Sequence, residues 1–159
     1  MGQQTFANYG KIPNGKVVKT RFYTGNQNDF DAGHAKTRYE VGSGCRLDRD
    51  KFTFIEVRNG AEVKASAMYV DFNGWSITIH IHAPNQLKKN VIRKFLGYPF
   101  HEARVKVLFA PIRASNETMF SIAKRIGFKE HCVIPDYFGL NEDQVMLRAQ
   151  ASDVKRWLE

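Results

Sequence analysis

The sequence has few cysteines and no long apolar run. Its 159 residues include two cysteines, Cys45 and Cys132, which are too few for the disulfide framework of a small secreted domain. Neither lies in a fixed nucleophile motif, so we expect two free thiols. No apolar stretch approaches the roughly 18 residues of a membrane-spanning helix, and the N-terminal segment lacks the apolar core of a signal peptide. These absences favour a cytoplasmic protein.

Acidic residues are absent from positions 1–28 and are the minority in the whole chain. There are 24 Lys and Arg residues against 16 Asp and Glu, a net charge of +8, which favours acidic partners such as nucleic acid or a phosphate-rich ligand. The N-terminal region is interpretable as a flexible basic arm or as irregular structure over the domain. Valine and aromatic residues within 16–24 favour the second interpretation, with a first strand there.

The composition is typical of a globular protein, with 43% hydrophobic and 13% aromatic residues. We predict a single domain over residues 1–159, with a variable N-terminal region over 1–50 and a core over 51–158. Between Asp29 and Asp50 the sequence is polar and predicts a loop with one short helix near Ala32–Tyr39.

Three strands joined by two Asn-Gly turns are predicted from Phe52 onwards. Asn59-Gly60 and Asn73-Gly74 are strong hairpin signals, so the strands should form an antiparallel meander. The strands cover Phe52–Val57, Val63–Phe72 and Trp75–His82. In the third strand, alternation places Trp75, Ile77, Ile79 and Ile81 on one face and Ser76, Thr78, His80 and His82 on the other.

A helix is predicted after Pro84-Asn85, with Asn85 as its N-cap and Gly97 at its end. Its apolar side consists of Leu87, Val91, Ile92, Phe95 and Leu96. Its basic side consists of Lys88, Lys89, Arg93 and Lys94. This amphipathic pattern fits a surface helix with a solvated basic face as well as it fits a phosphate-binding one.

The stretch Arg104–Phe128 combines a strand with a short helix. Val105–Phe109 is predicted as a strand, ended by Pro111, which has no N–H to donate. Ser115 should cap the helix, and Gly127 should end it in a left-handed conformation. The apolar face of the helix is Met119, Ile122, Ala123 and Ile126. On these features alone, any α/β packing unit fits the stretch.

The remainder predicts a strand over 129–134, a turn over 136–141, a strand over 144–147 and a helix over 151–158. An antiparallel meander followed by helix, strand, helix and a final hairpin predicts a mixed α+β fold.

Two motifs are more specific than these patterns. Asn116, followed eleven positions later by Gly127-Phe128, resembles the acetyl-coenzyme A half of GNAT-family N-acetyltransferases. Phe95–Phe100 (FLGYPF) resembles the short phage and prophage members of that family. The resemblance covers roughly Phe52 to Leu158. It implies a GNAT-like mixed sheet: a meander, a helix–strand–helix half that holds acetyl-CoA, and a C-terminal hairpin.

The resemblance also implies an activity. Acetyl-CoA would be the co-substrate, and its acetyl group would pass by direct attack to an amine of a protein, such as a host protein, or of a small molecule. The cofactor's pyrophosphate would lie on Asn85, Gln86, Leu87, Lys88, Lys89 and Asn90. Its pantetheine arm would lie between the strands Trp75–His82 and Arg104–Ala110, with Asn116 lining the cleft. Many members form dimers, so the resemblance also implies a homodimer.

The attacking amine has to lose a proton, and a nearby imidazole or carboxylate can accept it. The candidates are His80, His82 and Glu56. The two histidines fit a polar strand face equally well, and no third ligand accompanies them, so no metal site is predicted. The family's glycines are missing from the loop PNQLKKN, and Ala123 occupies the position of its Tyr acid; Tyr98, Tyr137 or water are the candidate replacements. The alternative function is therefore a catalytically degenerate protein that binds nucleic acid or a host protein.

Overall fold

The computed structural model describes residues 4–11, 17–84 and 87–159. Its contacts divide the chain into two units. The first unit is Met1–Val70 with Ile81–Val91, and the second is Asp71–His80 with Ile92–Glu159. Both units contain strands and helices, which confirms the predicted mixed α+β class. No helix among the described residues is long and apolar enough to cross a membrane. The single domain stays a prediction.

The first unit contains four antiparallel strands in chain order. They are β1 (Gln4–Lys11), β2 (Val17–Asn26), β3 (Thr53–Asn59) and β4 (Glu62–Val70). The strand predicted over residues 16–24 is confirmed as β2. For residues 4–11 both interpretations, a flexible arm and irregular structure, are wrong, because these residues pair with β2 from Gln4↔Thr24 to Lys11↔Val17. Gly60 has a φ of 63° at the β3–β4 turn, as an Asn-Gly hairpin requires.

The helix α1 (Ala32–Ser43) covers part of this sheet. It is the helix predicted near Ala32–Tyr39, extended by four residues. Its buried residues share one apolar cluster with β3, β4 and the segment between α1 and β3: Ala32, Ala35, Tyr39, Leu47, Phe52, Phe54, Met68 and Val70. Because Ala32 and Ala35 have small side chains, α1 can pack closely against the sheet. Phe54 and Met68 are fully buried beneath the helix.

Strand β5 (Ser76–His82) begins in the second unit, where it pairs in parallel with β6 (Val107–Arg113). Strand β6 pairs antiparallel with β8 (Glu142–Ala149), which pairs with β7 (Lys129–Gly139). The predicted final hairpin is therefore confirmed, but the turn predicted over 136–141 is too long, because β7 continues to Gly139. The helices are α2 (Lys89–Gly97), α3 (Glu117–Ile126) and α4 (Lys155–Leu158). A 3₁₀ turn over Ala151–Val154 precedes α4, where one continuous helix was expected.

Two predictions are wrong, the end of β6 and the buried face assigned to Trp75. Strand β6 continues through Pro111, which lies opposite Met146 of β8. Beyond Phe109, β6 pairs with β8 but no longer with β5, so one of its edges has no strand partner. Proline is tolerated at such an edge because it has no N–H to donate. Helix α2 ends at Gly97 as predicted, but Gly97 has a right-handed φ of −62°, so the chain continues into a π-helical turn over Tyr98–Glu102. Trp75 is 62% exposed and does not share the buried face of Ile77 and Ile79.

The ends of α3 are set by two residues. Asn116, and not Ser115, is the N-cap, since its side-chain oxygen accepts a hydrogen bond from the N–H of Met119 at 3.2 Å. The hydroxyl of Ser115 instead donates to Glu142. At the other end Gly127 has a φ of 132°, and a Cβ there would lie 2.1 Å from the carbonyl oxygen of Asp153. Only glycine fits that position.

Candidate functional site

The parallel strands β5 and β6 pair over a short distance and then separate. Their register covers three positions, from Ser76↔Val107 to Thr78↔Phe109. Within the second unit, β5 continues to His80 and β6 continues to Arg113. The backbone groups along the separated edges need other partners. An extended ligand with amide groups could supply them by lying between the strands.

Two histidines occupy alternate positions on β5, as the sequence predicts. His80 and His82 are both half-buried. Burial lowers the pKa of His82 below its ordinary value, because the charged imidazolium loses hydration. The His82 imidazole is therefore neutral at neutral pH, the state in which it can accept a proton.

The final turn of α1 contacts His82. A Cβ built at Gly42 would lie 2.7 Å from His82 Nε2 and 2.8 Å from its Cδ2. Real Cβ atoms essentially never come so close, so glycine at position 42 is the condition for this imidazole position. The sequence interpretation missed this contact, because it ended α1 before Gly42.

Glu56, the third candidate base, lies in a buried ion-pair network. It is 0% exposed. Arg38 donates from Nε and from Nη2 to its two carboxylate oxygens, each at 2.7 Å. Arg58 donates to the same carboxylate and also pairs with Asp31 at 3.2 Å. The hydrogen bond with Glu56 raises the pKa of Arg38. Two carboxylates thus balance two guanidinium groups.

Arg58 also lies over an aromatic ring. Its guanidinium carbon is 4.1 Å from the centroid of the Tyr23 ring, which suits a cation–π contact. Tyr23 is the β2 neighbour of Glu56. One signal in the sequence could have found part of this network: Glu56 and Arg58 are two residues apart on one strand and therefore share a face. Nothing in the sequence pointed to Arg38 or Asp31.

The predicted pyrophosphate loop is described in part. Asn85 and Gln86 lie outside the described residues. Leu87 is half-buried, while Lys88, Lys89 and Asn90 are exposed where α2 begins. The first turn of α2 contains no acidic residue, so the positive end of the helix and the two lysines can act together on an anion.

The predicted amphipathic character of α2 is confirmed. Its inward side is buried at Val91, Ile92, Phe95 and Leu96. Lys88, Lys89 and Arg93 are exposed, and Lys94 is half-buried, so the basic side faces solvent for most of its length.

Asn116 and Ala123 lie on α3. Asn116 is exposed and engaged in capping, the usual use of Asn at a helix start. Ala123 is 4% exposed, on the buried face of the helix. Tyr137, a candidate replacement acid, is 57% exposed on β7 and packs edge-on against Phe138. Among the described residues, no three side chains that favour metals converge.

The sequence and the structure were compared with known proteins. No protein-family model matches the chain. No curated protein sequence matches it either. Solved structures do match. A dodecameric spermidine N-acetyltransferase from Vibrio cholerae, in an intermediate state, aligns with a TM-score of 0.67 at 12% identity, over 87% of this chain and 98% of that one.

Two further structures agree. A protein from Desulfovibrio desulfuricans assigned to the GNAT family aligns with a TM-score of 0.58 at 14% identity, over 81% of this chain and 98% of that one. The acetyltransferase-like yncA of Salmonella typhimurium, whose structure contains its cofactor acetyl-CoA, aligns with a TM-score of 0.57 at 16% identity. The alignment covers 81% of this chain and 93% of that one. At these identities the likeness establishes the fold, which is that of GNAT acetyltransferases.

Proposed function

We propose that the protein is an N-acetyltransferase that moves the acetyl group of acetyl-CoA to an amine. The observation that supports this most is the separation of β5 and β6 after Thr78 and Phe109, on a chain with the GNAT fold. One of the aligned structures contains acetyl-CoA. The amide-containing arm of this co-substrate would lie along the separated strand edges.

The start of α2 would hold the pyrophosphate. Lys88 and Lys89 would add positive charge to the N–H groups of the first helical turn, with Asn85, Gln86, Leu87 and Asn90 completing the loop. The family's loop has glycines, which let its backbone N–H groups approach the pyrophosphate closely. With lysines instead, we expect the side-chain charges to bind the pyrophosphate. Asn116 is assigned to the cofactor cleft in addition to its capping role.

His80 and His82 are the proposed bases, and we favour His82 because its pKa is lowered. The amine nitrogen attacks the thioester carbon, the C–N bond forms, and the amine proton passes to the imidazole. The C–S bond then breaks, and the thiolate takes a proton from water or from a tyrosine such as Tyr98. Glu56 is better suited to holding α1 on β3, since both its oxygens already accept from arginines.

The acceptor is proposed only as an amine, of a protein or of a small molecule. Residues 29–50, which include α1, would contact the amine acceptor. We also propose that the protein is encoded by a phage, acts in the host cytoplasm and acetylates a host protein. The FLGYPF segment alone supports this part of the proposal. Oligomers are also proposed, since one aligned structure is a dodecamer.

A binding protein without catalysis is the second candidate. Two observations favour it. Ala123 is buried where the family has its Tyr acid, and Lys88, just before α2, forms an exposed basic surface with Lys89 and Arg93 of that helix. Nucleic acid or a host protein would be the partner.

Thermal unfolding with and without acetyl-CoA separates the two candidates. A ligand at about 100 times its dissociation constant stabilises the folded state by roughly 2.7 kcal/mol. The double variant Lys88→Ala/Lys89→Ala should lose much of that shift. The control Lys51→Ala, at an exposed lysine in the loop before β3, should keep it. The absence of any shift at millimolar acetyl-CoA would exclude the enzyme and leave the binding protein.

A further inference from the structure

A groove of about 690 Å³ lies in the second unit, where β5 and β6 begin. Trp75 directly precedes β5, and Lys106 directly precedes β6. Phe100 and Val105 supply buried apolar surface, and His101 and Arg104 supply polar groups, together with residues 150–152. The volume is in the range of small-ligand sites. None of the nine described residues that line the groove is acidic.

An exposed indole is held beside the groove by its own backbone. The side chain of Trp75 is 62% exposed, although large aromatic residues are usually buried. Its carbonyl oxygen accepts from the N–H of Lys106 at 2.7 Å and from that of Val107 at 3.3 Å. These bonds fix the backbone that carries the indole ring against the start of β6.

The cationic groups of the groove are not neutralised within the described part of the chain. No carboxylate of the described residues pairs with Arg104 or Lys106, although other lysines and arginines there do form ion pairs. The neighbouring acids have other contacts: Asp153 pairs with Lys129 at 3.0 Å, and Glu102 interacts with Lys94. The groove therefore keeps a positive charge for a partner.

The backbone of Arg104 is strained. Among the residues that the structure describes, four non-glycine residues have a positive φ. Three of them are Asp71, Asp136 and Asn141, residue types that tolerate the left-handed region. The fourth is Arg104, with a φ of 55°, whose long side chain has no such tolerance. Strain of this kind persists mainly where the site needs the residue.

We propose that this groove binds a nucleotide unit, with the base on the Trp75 indole and the phosphate on Arg104 and Lys106. Bases stack on exposed aromatic rings in a sequence-tolerant way, and a guanidinium pairs with phosphate in a bidentate geometry. The groove is at the end of β5 and β6 where they pair, opposite to the end where they separate. It is thus distinct from the proposed acetyl-CoA cleft. The nucleotide is either a free mononucleotide or part of a single-stranded nucleic acid.

The test uses the full chain with two pyrimidine probes, which avoid the adenosine of coenzyme A. Thymidine monophosphate binding is measured by calorimetry, and binding of a labelled short oligothymidylate by fluorescence anisotropy, both at low and at high salt. The variants are Trp75→Ala, Arg104→Gly and the control Lys51→Ala. Arg104→Gly is informative because glycine adopts a positive φ readily, so this variant should fold at least as well as the natural chain.

We expect Trp75→Ala and Arg104→Gly each to weaken binding on the order of tenfold or more, with Lys51→Ala unchanged. Arg104→Gly should also reduce the salt dependence of oligonucleotide binding. Equal affinity for both probes identifies the mononucleotide, and binding of the oligonucleotide alone identifies nucleic acid. The proposal fails if neither probe binds at millimolar concentration in low salt. It fails too if the three variants bind alike, or if acetyl-CoA displaces the probe competitively.

Discussion

Two clusters of charged residues in this protein have opposite environments. In the first unit, Arg38 and Arg58 are neutralised by Glu56 and Asp31, and the central carboxylate is fully buried. In the second unit, the cationic groove of Arg104 and Lys106 has no carboxylate partner among the described residues, and an exposed indole lies beside it. Charges balanced in this way stabilise a fold, whereas charges left without a partner attract a ligand. The same residue type, arginine, therefore has a structural role in one unit and a proposed binding role in the other.

The largest effect should come from breaking the balanced cluster. Glu56→Gln keeps the shape of the side chain and leaves two guanidinium groups without their central charge. Removing one partner of a buried pair costs about 3 to 5 kcal/mol, and we expect about 3 because Arg38 is 38% exposed. Urea unfolding measures the change.

The matched control is an exposed pair with the same spacing on the next strand. Glu62 and Lys64 on β4 lie 2.9 Å apart, with side-chain exposures of 65% and 39%. Glu62→Gln should cost less than about 1 kcal/mol. Equal losses for the two variants would mean that the burial of Glu56 adds nothing to its contribution.

A second prediction concerns the contact between α1 and His82. Gly42→Ala places a methyl carbon only 2.7 Å from His82 Nε2, so the imidazole has to move, at a cost of roughly 1 to 3 kcal/mol. If His82 is the base, the acetyl-transfer rate should fall on the order of a hundredfold, the lower end of what general-base catalysis contributes. Steady-state kinetics with an amine acceptor gives the rate.

The same helix offers its own control. A Cβ at Gly33 meets nothing within 4 Å, so Gly33→Ala should stabilise the protein by about 0.5 to 1 kcal/mol and leave the rate unchanged. If the Gly42→Ala and Gly33→Ala variants were equally active, His82 would not be the catalytic base.

Arg104 provides the third and smaller effect. Arg104→Gly and Arg104→Ala remove the same guanidinium, but only glycine relieves the positive φ of 55°. Arg104→Gly should therefore be about 1 kcal/mol more stable than Arg104→Ala, while both lose nucleotide binding equally. Paired urea melts and titrations test this. Identical stabilities would show that the backbone at position 104 is not strained, and would weaken the inference of a functional site there.

The elements were more predictable from the sequence than the sites. Alternation and Asn-Gly turns identified β3 and β4, because short-range patterns and turn chemistry decide them. Pro111 was misjudged because its tolerance depends on whether a neighbouring strand is paired, which is a tertiary property. The partners of Glu56 and Arg58 were missed for the same reason. Arg38 is 18 residues from Glu56 along the chain, and Asp31 is 27 residues from Arg58, so each pair depends on the packing of α1.

The smallest effect is a pH dependence of stability that comes from His82. Burial lowers its pKa in the folded state below the ordinary value of 6.5, so the unfolded chain binds the proton more readily. Its contribution to stability is therefore fully present above about pH 6.5 and is lost as the pH falls through the folded-state pKa. His82→Gln should flatten this part of the stability profile, measured by urea unfolding at intervals between about pH 5 and pH 8. If the natural chain and the variant gave parallel profiles, His82 would be as hydrated as an ordinary surface histidine, and the reason for preferring it to His80 as the base would be lost.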